Sequence, residues 1–316
     1  MRNHLIAALA DKAKYDEKVM LLVGDLGYSV VEGFANQFPN RFINCGIAEE
    51  NMLSVAAGLA MEGRKVFAYS IGNFPTLRCM EQIRNDICYH NLDVNILGVG
   101  GGFTYGVQGV THHATEEIGA MRLLPHMRVY APADVSEALA VLDEVCAMQE
   151  PSYIRLGGGH DKVFHGMPRV DISTGIIPFA DMREGTGADY AVIVTMGTML
   201  DEGFKLSKFL EAHHISHVLY SCPRIKPIST EAVLQAVARS KLVVTMEEHN
   251  VIGGLGSAIA EILAEIKCTP ILLRIGLEDE FSSIVGDRDF LRRSYGMDAR
   301  MALNKILEVW EKRERN

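Results

Sequence analysis

The chain predicts an α/β protein with two domains, each a mostly parallel sheet with helices on both faces. Two observations carry this reading. Short β-rich runs alternate with helix-period segments along most of the 316 residues, and one Gly- and Pro-rich stretch without a period interrupts that alternation. Before the interruption, "VMLLVGD" (19–25), "RFINCGI" (41–47), "KVFAYSI" (65–71), "VNILGVG" (94–100), "MRVYAPA" (127–133) and "PSYIRLG" (151–157) read as buried strands. "AEENMLSVAAGLAMEG", "LRCMEQIRNDICYH" and "DVSEALAVLDEVCAM" read as helices between them. After it, "DYAVIVTMG", "SHVLYSC", "KLVVTMEEH" and "TPILLRIG" are strands, and helical stretches separate them up to a final helix from about Ala299. The expected division is a first domain over 1–157, a linker with short edge strands over 158–188, and a second domain over 189–316.

Composition bounds the function. Hydrophobic residues make up 48% of the chain and the formal charge is −9 without any basic block, a poor match to nucleic-acid or anionic-membrane binding. No apolar run approaches the roughly 20 residues that span a bilayer, and the charged N-terminus lacks a signal peptide's apolar core. Six scattered cysteines (45, 79, 88, 146, 222, 268) without a C-x-x-C suit reduced thiols, so a soluble, cytoplasmic protein is expected.

The stretch "FINCGIAEENMLSVAAGLAMEG" (42–63) places two adjacent glutamates where a strand hands over to a helix. At 100° per residue, Met52, Val55, Ala56, Leu59 and Ala60 share one side. Glu49, three residues before Met52 and seven before Ala56, lies on that side; Glu50 projects away from it. Both could simply favour the positive end of the helix dipole. An inward Glu49 needs more, because a carboxylate taken out of water without a partner is costly, and such groups suit proton transfer.

On these residues the chain resembles the transketolase group of thiamine-diphosphate enzymes. "GIAEENM…AAGLAMEG" resembles their pyrimidine-binding segment, and "LLVGDLGYS" the strand and acidic turn before it. "YGVQGVTHHATEEIGAMRLLPHMRVYAPAD" resembles the G-x-x-G-x-T-H loop and the passage after it, and "VVTMEEHNVIGGLGSAIAEIL" the C-terminal domain. The four motifs stand in family order and cover essentially the whole chain. The fold implied is a pyrimidine-binding domain followed by a transketolase C-terminal domain. The resemblance implies that Glu49 hydrogen-bonds the cofactor's aminopyrimidine, so that thiamine diphosphate can supply a carbanion nucleophile.

Other positions carry over one by one. Phe74 matches the aromatic residue that stacks on the pyrimidine, with Pro75 as the neighbouring alternative. Asp25 and Leu26 match the acidic turn near the subunit contact, although Asp25 could equally be a helix cap. His112 matches the histidine that reaches the substrate; its neighbour His113 points elsewhere, and the two are not a metal pair. Arg2 and Ser29 match part of a substrate-phosphate site, and Gln108 stands where the family reads a hydroxyl with aspartate. The phosphate site's histidine falls near Gly100 and its second arginine near Gly158. The reading is a specialised transketolase acting on a modified or nucleotide-linked sugar, with these glycines opening room. Arg155 or a partner restoring the phosphate site is the alternative. "GVGGGFTYG" fails the dinucleotide fingerprint, and "GGLGS" (253–257) reads as a tight turn opening a helix.

The family's G-D-G motif for Mg²⁺ and diphosphate is missing: Gly24-Asp25 is followed by Leu, and Gly286-Asp287 by Arg. The expectation is therefore a split enzyme. A second subunit would carry the diphosphate and Mg²⁺, two copies of each chain would form a heterotetramer, and this chain would supply no metal ligand. Competing readings are a 2-oxo acid dehydrogenase β subunit, a deoxyxylulose-phosphate synthase branch, and a non-catalytic regulatory homologue. His112 in its loop disfavours the first, and the missing N-terminal half the second. Retention of Glu49 and His112 disfavours the last, since a scaffold has no need of a buried acid.

Overall fold

The computed structural model describes residues 1–158, 162–164, 170–183, 189–265 and 270–314. Cys268 and parts of the expected linker lie outside the described residues. The strands are β1 (Val19–Val23), β2 (Phe42–Asn44), β3 (Lys65–Ile71), β4 (Val94–Val99), β5 (Arg128–Tyr130) and β6 (Ser152–Leu156) in the first half. In the second they are β7 (Ile177–Met182), β8 (Ala191–Thr195), β9 (His217–Ser221), β10 (Arg224–Lys226), β11 (Leu242–Asn250) and β12 (Ile271–Leu277). They form a seven-stranded sheet, β10-β5-β6-β4-β3-β1-β2, and a five-stranded sheet, β12-β11-β8-β9-β7.

Pairing is parallel except at one edge of each sheet. Every residue of β1, β4, β6 and β8 is buried, the signature of strands covered on both faces. Helix Glu49–Met61 packs on β3 and turns Met52, Leu53, Ala56 and Ala57 inward. That face is centred one position away from the expected stripe, since Leu53 and Ala57 are buried while Leu59 and Ala60 are only partly so.

Two features differ from the sequence reading. The first sheet is completed by β10, a three-residue strand from the second half that pairs antiparallel with β5. The two halves are thus joined by a shared ladder, reinforced by Lys226 Nζ donating to the carbonyls of Arg122 (2.9 Å) and Leu124. The helix expected over 77–90 is one short turn, Met80–Gln82, followed by a π-helix, Ile83–Cys88. The wider π turn lets Ile83, Ile87 and Cys88 all reach the core. Among the described residues, no helix is long and apolar enough to cross a membrane.

Candidate active site

The site is built where β1, β3 and β4 end. Glu49 is the first residue of its helix and is 1% exposed, whereas Glu50 is exposed, as the helical phase requires. Ser70, near the end of β3, donates its hydroxyl to Glu49 Oε1 at 3.1 Å. Gly24, just after β1, leaves space beside this pair: a Cβ there would lie 3.2 Å from Glu49 Oε1 and 3.4 Å from Ser70 Oγ. The second carboxylate oxygen, Oε2, accepts from Nη1 of Arg78 at 2.5 Å. Arg78 keeps 43% of its side chain in solvent, so the buried carboxylate is neutralised by a cation reaching in from outside.

Arg78 also lies over the Phe74 ring, its guanidinium carbon 4.6 Å from the ring centroid. The ring belongs to Phe74, half-buried; Pro75 is buried behind it. On Phe74's other contact, the His112 ring stands edge-on at 5.3 Å between centroids. His112 in turn faces Tyr105 at 6.5 Å, and the Tyr105 hydroxyl accepts from Arg2 Nη1 at 3.2 Å. Contacts therefore run from Glu49 through Arg78, Phe74, His112 and Tyr105 to Arg2. Four residues singled out from the sequence, Glu49, Phe74, His112 and Arg2, share this row.

The remaining candidates lie beside it. Asp25, at φ 54°, exchanges two hydrogen bonds with Asn44, its N–H donating to Oδ1 (3.2 Å) and its Oδ1 accepting from Nδ2 (2.9 Å). Leu26 packs against the core under helix Arg2–Ala13. Ser29 and Gln108 are exposed. His113 is buried, with Nδ1 2.5 Å from Ser282 Oγ and Nε2 2.9 Å from the Gly106 carbonyl, which fixes the loop that carries His112.

Two expectations about the substrate end are corrected. Gly100 (φ 84°) does not open room: a Cβ there would collide with the Tyr105 ring, which fills that space. Arg155 cannot replace a lost phosphate ligand, because all its nitrogens are spent inside the protein. Nε donates to Glu117 (2.6 Å), Nη1 to the Glu248 carbonyl (2.9 Å) and Nη2 to the Ala114 carbonyl (3.0 Å).

The reading of "GGLGS" as a turn holds, for a reason the sequence did not disclose. The free N–H groups of helix Leu255–Ala264 are taken by the chain's own carboxylate: Glu247 accepts from Leu255 (2.6 Å) and Gly256 (2.8 Å). Burial pushes the Glu247 carboxyl up to about 7 against these bonds. Beside it, burial and then Arg155 hold His249 down at about 4. Its Nδ1–H donates to the Asn250 carbonyl (2.6 Å), and its Nε2 accepts from Gly119 of the first domain (3.1 Å). The Glu247–Asn250 stretch is thus a seam between the domains.

Sequence reasoning missed Arg78, Ser70 and Tyr105. Arg78 had a signal: it follows Phe74 by four residues in a run of turns where the Leu77 N–H reaches back to the Asn73 carbonyl, a spacing that can bring two side chains together. The Glu49–Ser70–Phe74 corner fits a flat ring that donates through a ring nitrogen. The Arg78 guanidinium, planar and donating, already makes both contacts, one to the carboxylate and one to the aromatic face. Among the described residues no three metal-ligating side chains converge.

Comparison with known proteins agrees with this geometry. Residues 1–158 match the family model of the transketolase pyrimidine-binding domain, and residues 183–300 that of the transketolase C-terminal domain. A putative transketolase C-terminal section from Methanocaldococcus jannaschii is 35% identical, over 99% of this chain and 96% of its own. A 6-deoxy-6-sulfo-D-fructose transketolase subunit from a Clostridium species is 33% identical, over 99% and 95%. Among solved structures, a split-gene transketolase in the form of an inactive β4 tetramer superposes with a TM-score of 0.84 at 34% identity, covering 97% of this chain and 96% of that one. The chain belongs to the transketolase family of thiamine-diphosphate enzymes.

Proposed function

We propose that this chain is the C-terminal subunit of a two-chain transketolase that moves a two-carbon ketol unit between sugars or sugar phosphates. The observation that carries the reading is the buried Glu49 beside the half-buried Phe74 ring, both of them touched by the solvent-reaching Arg78, with the His112 ring against Phe74. Glu49 would hold a proton against the aminopyrimidine ring nitrogen, Ser70 would orient the carboxylate, and Phe74 would stack on the pyrimidine. Asp25 and Leu26 would line the adjoining subunit contact. Thiamine diphosphate, when bound, supplies the carbanion chemistry that cleaves and remakes the ketol carbon–carbon bond. His112 would move a proton at the sugar's carbonyl or hydroxyl oxygen, within reach of the reacting carbon. Arg2, Ser29 and Gln108 would bind the remainder of the sugar.

Mg²⁺ and the diphosphate would be held by the second polypeptide. Mg²⁺ takes carboxylate and phosphate oxygens in an octahedral shell, and the one carboxylate of this row is occupied by Arg78 and Ser70. We take the assembly to be two copies of each chain, in the cytoplasm. The Clostridium relative's sulfosugar supports a modified substrate for this chain too. Calorimetry tests the division of labour. Thiamine diphosphate with Mg²⁺ should bind this chain weakly when it is alone and tightly once the diphosphate-binding chain is added. Tight, Mg²⁺-dependent binding by the isolated chain would overturn the reading.

A further inference from the structure

His112 takes the proton-transfer role proposed above, yet little holds its ring directly. Apart from edge contacts with Phe74 and Tyr105, its only hydrogen bond among the described residues joins Nδ1 to the Thr111 hydroxyl of the same loop, at 3.0 Å. The ring therefore stands where its loop stands. The next residue, His113, ties that loop from several sides. Its backbone N–H donates to the Gly109 carbonyl (3.2 Å), and its carbonyl accepts from Asn73 Nδ2 of the first domain (2.6 Å). Its ring reaches across the base of the loop, Nε2 donating to the Gly106 carbonyl at 2.9 Å. That carbonyl can only accept, so Nε2 carries the proton and, in the neutral ring, Nδ1 must accept. The donor is the Ser282 hydroxyl, 2.5 Å away, on the segment that follows β12 in the second domain.

We propose that Ser282 is a positioning residue for the transfer reaction: by fixing the His113 ring it sets where His112 stands. The second domain thereby contributes to a site built in the first. Burial separates this role from catalysis. Ser282 is 3% exposed and His113 1%, so neither meets a sugar, and the pair is no nucleophile and base. The junction around the pair leaves no slack. A Cβ on Gly106 would run into the Gly286 carbonyl, and the Gly286 N–H donates to the Gly106 carbonyl at 3.4 Å. Phe103 stacks on Tyr295 at 5.7 Å between centroids and meets the His113 ring edge-on at 5.3 Å. The Tyr295 hydroxyl accepts in turn from the Ser283 N–H (2.8 Å), which holds the segment carrying Ser282. A shift of that segment is passed to the His112 loop, because close packing on both sides leaves nothing to absorb it.

This inference rests on the transketolase reading, and two measurements on the assembled two-chain enzyme keep them apart. Ketol transfer would be followed for Ser282→Ala, with and without His112→Ala, and for Ser282→Thr. Hydrogen exchange of residues 103–113 would be followed in the same proteins, a readout that needs no activity. Ser282→Ala should lower kcat about tenfold with KM changed by less than about twofold, since misplacing a proton-transfer group costs rate more than binding. Ser282→Thr keeps the hydroxyl and should recover most of that loss. In the His112→Ala background, Ser282→Ala should cost nothing further, the signature of a residue that acts through another. The loop should exchange faster in Ser282→Ala while the rest of the first domain stays protected. An unchanged kcat, an unchanged loop exchange, or an equal loss of turnover in the His112→Ala background would overturn the assignment. A loop loosened by Ser282→Ala in an enzyme whose wild type performs no ketol transfer would uphold the tie between Ser282 and the His112 loop and remove the transketolase reading instead.

Discussion

Glu49 and Glu247 are both buried carboxylates beside the N-terminus of a helix, one in each domain, yet their partners differ in kind. Glu247 accepts from the backbone N–H groups of Leu255 and Gly256, and a Cβ on Gly254 would run into its carboxylate. Nothing can displace those donors without unwinding the helix. Glu49 is satisfied by two side chains, and one of them, Arg78, stands 43% in solvent. A ligand that offers a donor and a flat ring can take Arg78's place at no cost to the fold. A buried acid held by backbone is part of the architecture; one held by a half-exposed side chain is available for chemistry.

Breaking Glu49 should have the largest effect. Glu49→Gln in the assembled enzyme should lower turnover by about 10²–10⁴-fold, the usual weight of a positioned acid–base group, while Glu50→Gln stays near wild type. Steady-state ketol transfer checks this, and equal losses in the two variants would show the assignment by helical phase to be wrong.

Breaking Glu247 should act on stability. Glu247→Ala orphans two buried N–H groups, each costing on the order of 1–3 kcal/mol, measurable by urea unfolding. Its pH dependence sharpens the contrast. The Glu247 carboxyl is raised in the fold to about 7, so its contribution is full below the ordinary carboxyl value and is lost as pH rises through about 7. His249, lowered to about 4, contributes in the opposite sense: fully above its ordinary value near 6.5, and lost as pH falls through about 4. The two slopes oppose each other in wild type. Glu247→Gln should therefore unmask a stability that rises with pH between about 4 and 6.5. A flat profile in that variant would refute the opposed pair.

Removing Arg78 is the subtlest change. Arg78→Ala leaves Glu49 buried with only Ser70 and should destabilise the cofactor-free assembly by about 1–3 kcal/mol. Thiamine diphosphate should then raise the melting temperature more than it does in wild type, because the ring nitrogen satisfies a carboxylate that has lost its other donor. An unchanged ligand-induced shift would mean that Arg78 and the cofactor do not compete.

Much of this was readable in the chain. Periodicity placed the buried strands, and the phase of one helix separated Glu49 from Glu50, because a 100° step sends adjacent side chains to different environments. What stayed hidden depends on contacts across distance. A glycine at 100 reports a missing Cβ and cannot say whether space or Tyr105 follows. Arg155 reads as a cation near the substrate, and only the fold shows it spent on Glu117 and two carbonyls. Strand β10 is three residues long, too short for any period, so its crossing into the first sheet could not be read.

The two buried glutamates embody one division, chemistry at Glu49 and architecture at Glu247. Its most direct test carries Glu49→Gln and Glu247→Gln through the same pair of measurements on the assembled enzyme: turnover, and the melting temperature without cofactor. Glu49→Gln should lose turnover while melting near wild type, and Glu247→Gln should melt lower while its folded fraction still turns over. Turnover and melting temperature falling together in both variants would contradict it.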